Sequence, residues 1–162
     1  MNFFLADILI SKDKDVDLNI KKQILIKGLD LINKELKTSK TNNSCLTVSL
    51  RLTNIRNMKK LNYSFSGSNK ETNVLSFIPD PNETDENNNS VGDIAICVDV
   101  LKKEAKEQNK DFLDHLLHLF VHGVLHLLGY KHDSDREASK MEQIEKSILG
   151  KLGIEDPYLI EL

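Results

Sequence analysis

Residues 111–132 read DFLDHLLHLFVHGVLHLLGYKH, and this stretch decides much of the fold because its apolar residues recur at helical spacing. The pattern predicts a helix from about Asp111 to Leu128. Gly129 follows at once, and glycine is the residue that most easily adopts the left-handed conformation that ends a helix. We therefore expect the chain to turn back immediately after this helix.

Three histidines in this stretch have a spacing that suits one metal ion. His122 and His126 are four residues apart, so on a helix they lie on the same face. The turn at Gly129 allows His132 to return toward the same ion. Three neutral imidazoles leave a fourth tetrahedral position for water, as in catalytic zinc sites. The spacing therefore predicts one zinc ion per chain and hydrolysis that uses metal-bound water, with no side chain assigned as catalytic.

A rival set of ligands is His118, His122 and His126, which also follow one another at steps of four. Three such positions span roughly 12 Å of helix axis at a rise of about 1.5 Å per residue. Zinc–nitrogen bonds are only about 2.0–2.1 Å long, so the outer two rings would have to lean strongly inward to share one ion. The set of His122, His126 and His132 is therefore favoured. His115 and His118 lie on the same stripe, and the simpler interpretation is that both are polar residues beside the site.

The ligand spacing also matches the zinc-protease signature HExxHxxGxxH, with one exception. Gly123 stands where those proteases carry a glutamate. That glutamate is the general base that takes a proton from the metal-bound water, and glycine has no group to do so. A zinc metallopeptidase or amidohydrolase is therefore the disfavoured alternative.

Composition limits the classes of protein and of function that remain. The chain has 162 residues with 40% hydrophobic content, which fits one domain over residues 1–162. A net charge of −3 gives no general electrostatic reason to bind nucleic acid. Cys45 and Cys97 form no redox or zinc-ribbon motif. The N-terminus is a poor signal peptide and no apolar run reaches the roughly 18 residues of a membrane span, so we expect a cytoplasmic protein without membrane contact.

The order of apolar patterns predicts an α+β fold in which a small mixed sheet is covered by about five helices. Strands are expected at residues 3–10 and 46–52 and in segments that start at Asn73 and Val91. Helices are expected at residues 18–37, after caps at Thr53 and Asn54, from a cap at Asp99 to about residue 109, at residues 111–128, and after a capping box at Ser134. The polar segment of residues 80–90 is predicted to be a flexible loop.

Several motifs outside the histidine stretch carry a family resemblance. In order they are LN, TNVLSF from Thr72, VGDIAI from Val91, MEQIE from Met141, and a terminal LG followed by DPY. Together with HGVLHLLGYKH, they make the chain resemble the YbeY family of bacterial rRNA maturation factors, which are metal-dependent, single-strand-specific endoribonucleases. The resemblance implies a mixed four-stranded sheet and zinc held by His122, His126 and His132. It also implies single-stranded RNA as substrate, the ribosomal small subunit or its proteins as partners, and roles in small-subunit rRNA 3′ end maturation and ribosome quality control.

Two residues depart from the family pattern. Ser66, in FSGSNKET, stands where the family pattern YRGKDKPT has an arginine, and a serine cannot offer a guanidinium to a phosphate. Lys70 is a partial substitute and is therefore the candidate substrate-binding residue. Lys131 stands where the family pattern GYDH has an acid and adds a positive charge near the metal. These changes keep open a third alternative, a non-catalytic ribosome-assembly factor. Asp93 is not assigned to catalysis.

Overall fold

The computed structural model describes residues 6–36, 46–80, 82 and 90–159. Within them, a four-stranded mixed sheet is covered by five helices, which confirms the predicted α+β fold. The strands are β1 (Asp7–Lys12), β2 (Thr47–Thr53), β3 (Val74–Phe77) and β4 (Ser90–Cys97). The helices are α1 (Lys22–Leu36), α2 (Ile55–Ser66), α3 (Val98–Glu107), α4 (Phe112–Leu127) and α5 (Asp135–Lys151). No helix in these ranges is long and apolar enough to cross a membrane.

The sheet has the strand order β1-β2-β4-β3. β1, β2 and β4 are parallel, and β3 runs antiparallel to β4 at the edge. Alternate residues of β2, namely Val48, Leu50 and Leu52, are buried in the main core. This alternation is the pattern of a strand with one face against the core, and it was visible in the sequence.

The histidine helix α4 is the central helix of the fold and contacts β3, β4, α1, α3 and α5. Leu116, Phe120, Val121 and Val124 have no exposed surface. Asp111 caps the helix, since its side chain accepts a hydrogen bond from the Asp114 N–H. Burial on several sides fixes the rotation of α4, so the directions of its histidines are set by the core.

Of the two residues predicted to cap α2, Asn54 is the cap and Thr53 is the last residue of β2, and the cap predicted at Ser134 is confirmed. The Asn54 side chain accepts a hydrogen bond from the Asn57 N–H at 2.8 Å, and the Ser134 hydroxyl accepts one from the Glu137 N–H at 3.2 Å. The cap predicted at Asp99 is wrong, because β4 runs directly into α3 and the cap position falls on Cys97. Asp99 lies in the first turn of α3, where its carboxylate faces the positive end of the helix dipole.

The first helix is shorter than its apolar pattern predicts. It begins at Lys22, whereas Leu18 lies in the connection between β1 and α1 and packs against the core from there. The pattern was misleading because the residues that approach a helix can bury apolar side chains against the same core as the helix itself. Residues 3–5 of the first predicted strand, residue 37 of the helix, and residues 81 and 83–89 of the predicted loop lie outside the described residues.

Asp13 ties the end of β1 to β2 and to the start of α2. Its Oδ1 accepts hydrogen bonds from the Arg51 guanidinium, and its Oδ2 accepts bonds of 2.9 Å from the Asn54 N–H and the Asn57 amide. Burial raises the pKa of this carboxyl, but the hydrogen bonds from Asn54, Asn57 and Arg51 outweigh it, so the pKa lies below its ordinary value. The ionised form of Asp13 therefore stabilises the fold.

We expect Asp13→Asn to lower the free energy of unfolding by about 2 kcal/mol at pH 7, since it removes charge-assisted hydrogen bonds. Because the pKa is lower in the folded state, this contribution is complete above the unfolded pKa and is lost as pH falls through the folded pKa. Urea unfolding of the two proteins between pH 7 and pH 3 should show the difference shrinking toward acid. Asp15→Asn, at an exposed neighbour, is the control, and an equal loss in the control would contradict this role.

Candidate metal centre

His122 and His126 lie on the last two turns of α4, and their side chains point to the same place. Their Nε2 atoms are 2.9 Å apart and their ring centroids 4.5 Å apart. The His122 side chain is 20% exposed, so the pair borders solvent and is not sealed in the core. A ligand can therefore reach the two nitrogens from outside.

The turn after α4 brings His132 to the same place. Gly129 has φ of +99°, in the region that favours glycine, and the Tyr130 N–H donates back to the Leu125 carbonyl. Ligand atoms of His122, His126 and His132 all lie within 4.8 Å of one another. The chain thus brings together the three histidines predicted as metal ligands, and their role as ligands stays a prediction.

Hydrogen bonds at the other ring nitrogens set the tautomers of the two helical histidines. The Nδ1–H of His126 donates to the Tyr130 carbonyl at 2.9 Å, and the Nδ1–H of His122 donates to Glu145 Oε1 at 2.5 Å. Each ring then carries its lone pair on Nε2. Two lone pairs facing each other repel unless a proton or a metal cation lies between them. This donor set therefore fits a cation.

The same geometry suits zinc. Tetrahedral zinc with bonds of about 2.0–2.1 Å places neighbouring ligand nitrogens about 3.3 Å apart, close to the separation of the two Nε2 atoms. Burial, followed by the neighbouring His122, lowers the pKa of His126, which favours the neutral ring that metals bind. With the exposed His132, the group offers three nitrogen atoms, and three such ligands would leave one tetrahedral position open.

Glu145, on α5, is the main residue of this centre that sequence reasoning missed. Its side chain has no exposed surface, and its Oε2 accepts hydrogen bonds from His118 Nε2, at 3.2 Å, and from the Tyr158 hydroxyl. Burial raises the pKa of Glu145, but the bonds from His118, His122 and Tyr158 lower it to about 2. The carboxylate is therefore ionised. Burial and the bond to Glu145 in turn raise the pKa of Tyr158.

These contacts bear on the rival arrangements, which stay alternatives to the predicted ligand set. His118 turns toward Glu145 and Tyr158, and it does not join His122 and His126 in any candidate metal group among the described residues. His118, His122 and Glu145 also come within 4.8 Å of one another. Their contacts, however, have the lengths of hydrogen bonds between ring N–H groups and a carboxylate, so a bound ion is not needed to satisfy them.

His115 has a separate partner. Its Nε2 lies 2.7 Å from Glu104 Oε2, and Glu104 also accepts from the Asn73 amide. Burial lowers the pKa of His115 despite Glu104. The pair connects α3, α4 and the start of β3, which agrees with the interpretation of His115 as a polar residue beside the site.

The residues that depart from the family pattern are exposed. The Ser66 hydroxyl donates to the Asn62 carbonyl at 2.9 Å. The Lys70 carbonyl accepts from the Asn62 amide at 2.8 Å, and binding of substrate by its exposed side chain stays a prediction. Lys131 lines an open cavity of about 300 Å³ with Leu128, Gly129, Tyr130, Glu137 and Lys140.

Gly123 faces the sheet and does not face the histidines. A Cβ atom at this position would lie 3.2 Å from both Ile94 Cδ1 and Ser76 Oγ, and the Ser76 hydroxyl donates to the Gly123 carbonyl at 3.0 Å. The close approach of α4 to β3 and β4 therefore leaves little room for a side chain. The general base of the zinc proteases has no place at this position of the fold.

Comparisons with known proteins identify the family of the chain. The family model described as Endoribonuclease YbeY matches residues 8–153. An Endoribonuclease YbeY of Colwellia psychrerythraea is 45% identical over 126 residues, which cover 76% of this chain and 79% of that protein. That of Bartonella henselae is 41% identical over 153 residues, which cover 94% of this chain and 95% of that protein.

A solved structure gives the same fold. TM1509 of Thermotoga maritima, known from a solution structure, superposes with a TM-score of 0.55 at 23% identity, over 94% of this chain and 99% of that one. At this identity the likeness supports the fold alone. The assignment to a family rests on the sequence matches. The region that the family model matches includes His122, His126 and His132. The chain therefore belongs to the YbeY family of endoribonucleases, enzymes that cleave phosphodiester bonds within RNA.

Proposed function

We propose that this chain is a zinc-dependent endoribonuclease that cleaves single-stranded RNA. The observation that carries the proposal is the convergence of the His122 and His126 Nε2 atoms, with His132 beside them, in a chain of this family. Hydrogen bonds already fix the tautomers that metal binding requires. His122, His126 and His132 would hold one zinc ion per chain.

The residues around the centre have definable tasks in this reaction. When bound, zinc supplies a Lewis acid that polarises a phosphate oxygen or makes water a better nucleophile. Tyr130 and Glu145 hold the two helical imidazoles in place through their Nδ1–H groups. The exposed His132 side of the centre leaves the approach open to a polymer. A water molecule or the 2′-hydroxyl of the RNA would serve as nucleophile, and the product ends distinguish them.

We further propose that the substrate is small-subunit ribosomal RNA in the cytoplasm, at its 3′ end, and that the activity contributes to ribosome quality control. The small subunit or its proteins would then be the partner that delivers the substrate. Support comes from the family resemblance, because the net charge of −3 offers no general attraction for RNA. A delivering partner accounts for how a protein of this charge meets its substrate.

The test is a cleavage assay with one RNA sequence in single-stranded and duplex form and a peptide mixture in parallel. Metal-depleted protein should be inactive, and added zinc should restore cleavage of the single strand alone. A 2′,3′-cyclic phosphate on the products would identify the 2′-hydroxyl as nucleophile. If zinc-loaded protein left RNA intact and cleaved peptides faster than His126→Ala, the peptidase alternative would replace this proposal. If zinc-loaded protein cleaved neither, the assembly-factor alternative would replace it.

A further inference from the structure

Glu145 is a buried carboxylate whose surroundings are arranged around its charge. An unpaired buried carboxylate is costly, so such groups are retained where several donors face them. Here the His122 Nδ1–H donates to Oε1, while His118 and Tyr158 donate to Oε2. The three donors come from two segments other than that of Glu145, namely α4 and the chain after α5.

We infer that Glu145, supported by His118 and Tyr158, is a positioning residue that sets the zinc affinity of His122. This inference rests on the proposed function, because it concerns the same metal. A carboxylate at Nδ1–H makes a metal-binding imidazole more basic and fixes its tautomer and ring orientation. Loss of such a partner in other zinc proteins weakens metal binding by about 10–100-fold.

The tautomer of His118 agrees with this role. Its Nε2 faces the carboxylate, while its buried Nδ1 has no hydrogen-bond partner. With the proton on Nε2, the unpartnered Nδ1 is an acceptor, which is less costly to leave unpaired than a buried N–H donor. His118 and His122 therefore both act as donors to Glu145, and His118 holds the oxygen that His122 does not use.

Tyr158 connects the chain beyond α5 to the metal centre. This segment is held by the Lys110 ammonium, which donates to the Pro157 carbonyl at 3.1 Å, and by an ion pair of 3.5 Å between Lys146 and Asp156. The Tyr158 ring lies edge-on to His118, with centroids 5.4 Å apart. The hydroxyl thus reaches a buried carboxylate whose other oxygen holds a ligand histidine. Tyr158, the last residue of the DPY motif, thus stabilises the carboxylate that accepts the His122 Nδ1–H bond.

Competition for zinc against a chelator of known affinity tests the inference. Glu145→Gln keeps the shape of the side chain and removes its charge, and we expect zinc binding to weaken by about 10–100-fold. Tyr158→Phe removes one hydroxyl, and we expect a loss of about fivefold. The matched control is Glu104→Gln, which makes the same change beside the non-ligand His115, and zinc affinity should stay as in the parent. Unchanged affinity in Glu145→Gln, or an equal loss in Glu104→Gln, would overturn the inference.

Imidazole nitrogen NMR spectra of the metal-free proteins give a readout that general destabilisation does not move. The parent should show His122 protonated at Nδ1, and Tyr158→Phe should shift that resonance even if Glu145→Gln fails to fold. A parent in which His122 carries its proton on Nε2 would contradict the inference. If the parent binds no zinc at all, the proposed function fails, while the His122 tautomer still tests the role of Glu145 separately.

Discussion

His126→Ala should lose zinc and cleave single-stranded RNA about 100–1000-fold more slowly than the parent, because metal-ion catalysis contributes several kcal/mol to barrier lowering. Three observations support His126 as a metal ligand. Its Nε2 lies 2.9 Å from that of His122, its Nδ1–H is held by the Tyr130 carbonyl, and its pKa is lowered by burial and then by His122. Rates should be measured at saturating RNA after zinc content has been determined for each protein.

The control for this prediction is His115→Gln. This histidine lies on the same helix and is more deeply buried, but its partner is Glu104. The control should keep its zinc and most of its activity. If His115→Gln and His126→Ala lost activity equally while both stayed folded, activity would depend on the integrity of α4 and the assignment of the metal centre would be contradicted.

Gly92→Ala should lower the free energy of unfolding by about 3 kcal/mol, the largest stability effect that we expect from adding one methyl group to this fold. Gly92 has φ of +144°, a backbone conformation that residues other than glycine rarely adopt. An added Cβ would also lie 2.5 Å from the Phe77 carbonyl oxygen and 2.6 Å from Leu127 Cδ2. The first of these is backbone and cannot move aside without disturbing the pairing of β3 with β4.

Gly67→Ala is the matched control, because Gly67 also has positive φ, at +75°, but has open space around its Cβ position. Its expected loss is only the backbone strain, about 1 kcal/mol. Urea unfolding of both variants measures the difference. Equal losses would mean that backbone strain alone destabilises Gly92→Ala. They would contradict the close packing of β4 against β3 and the end of α4.

The sequence allowed the local features of the fold and of the site to be predicted. The Asn54 and Ser134 caps, the helix over most of residues 111–128 and the turn at Gly129 depend on residues within a few positions of one another. His122, His126 and His132 were grouped for the same reason. The meeting of their side chains needs only one helix and one turn, which spacing describes well.

Residues that act across the fold were not predicted. Glu145 is separated from His122 by 23 positions, and Tyr158 from His118 by 40. MEQIE and DPY were noticed as motifs, but the chemistry of Glu145 and Tyr158 depends on how α5 and the following chain pack against α4. The start of α1 was missed for a related reason, since Leu18 and the helical residues bury apolar groups in one core.

Zinc content of His132→Ala, measured after dialysis beside the parent and with RNA cleavage of the same samples, tests the central claim most directly. Among the residues that the structure describes there are two candidate metal groups, and His132 distinguishes them, because it belongs to the set with His122 and His126 and is absent from the set with His118 and Glu145. We predict one zinc ion per chain in the parent, and in the variant little zinc and cleavage slowed by about 100–1000-fold, as in His126→Ala. Full zinc occupancy in His132→Ala would contradict the account and move the metal to His118, His122 and Glu145.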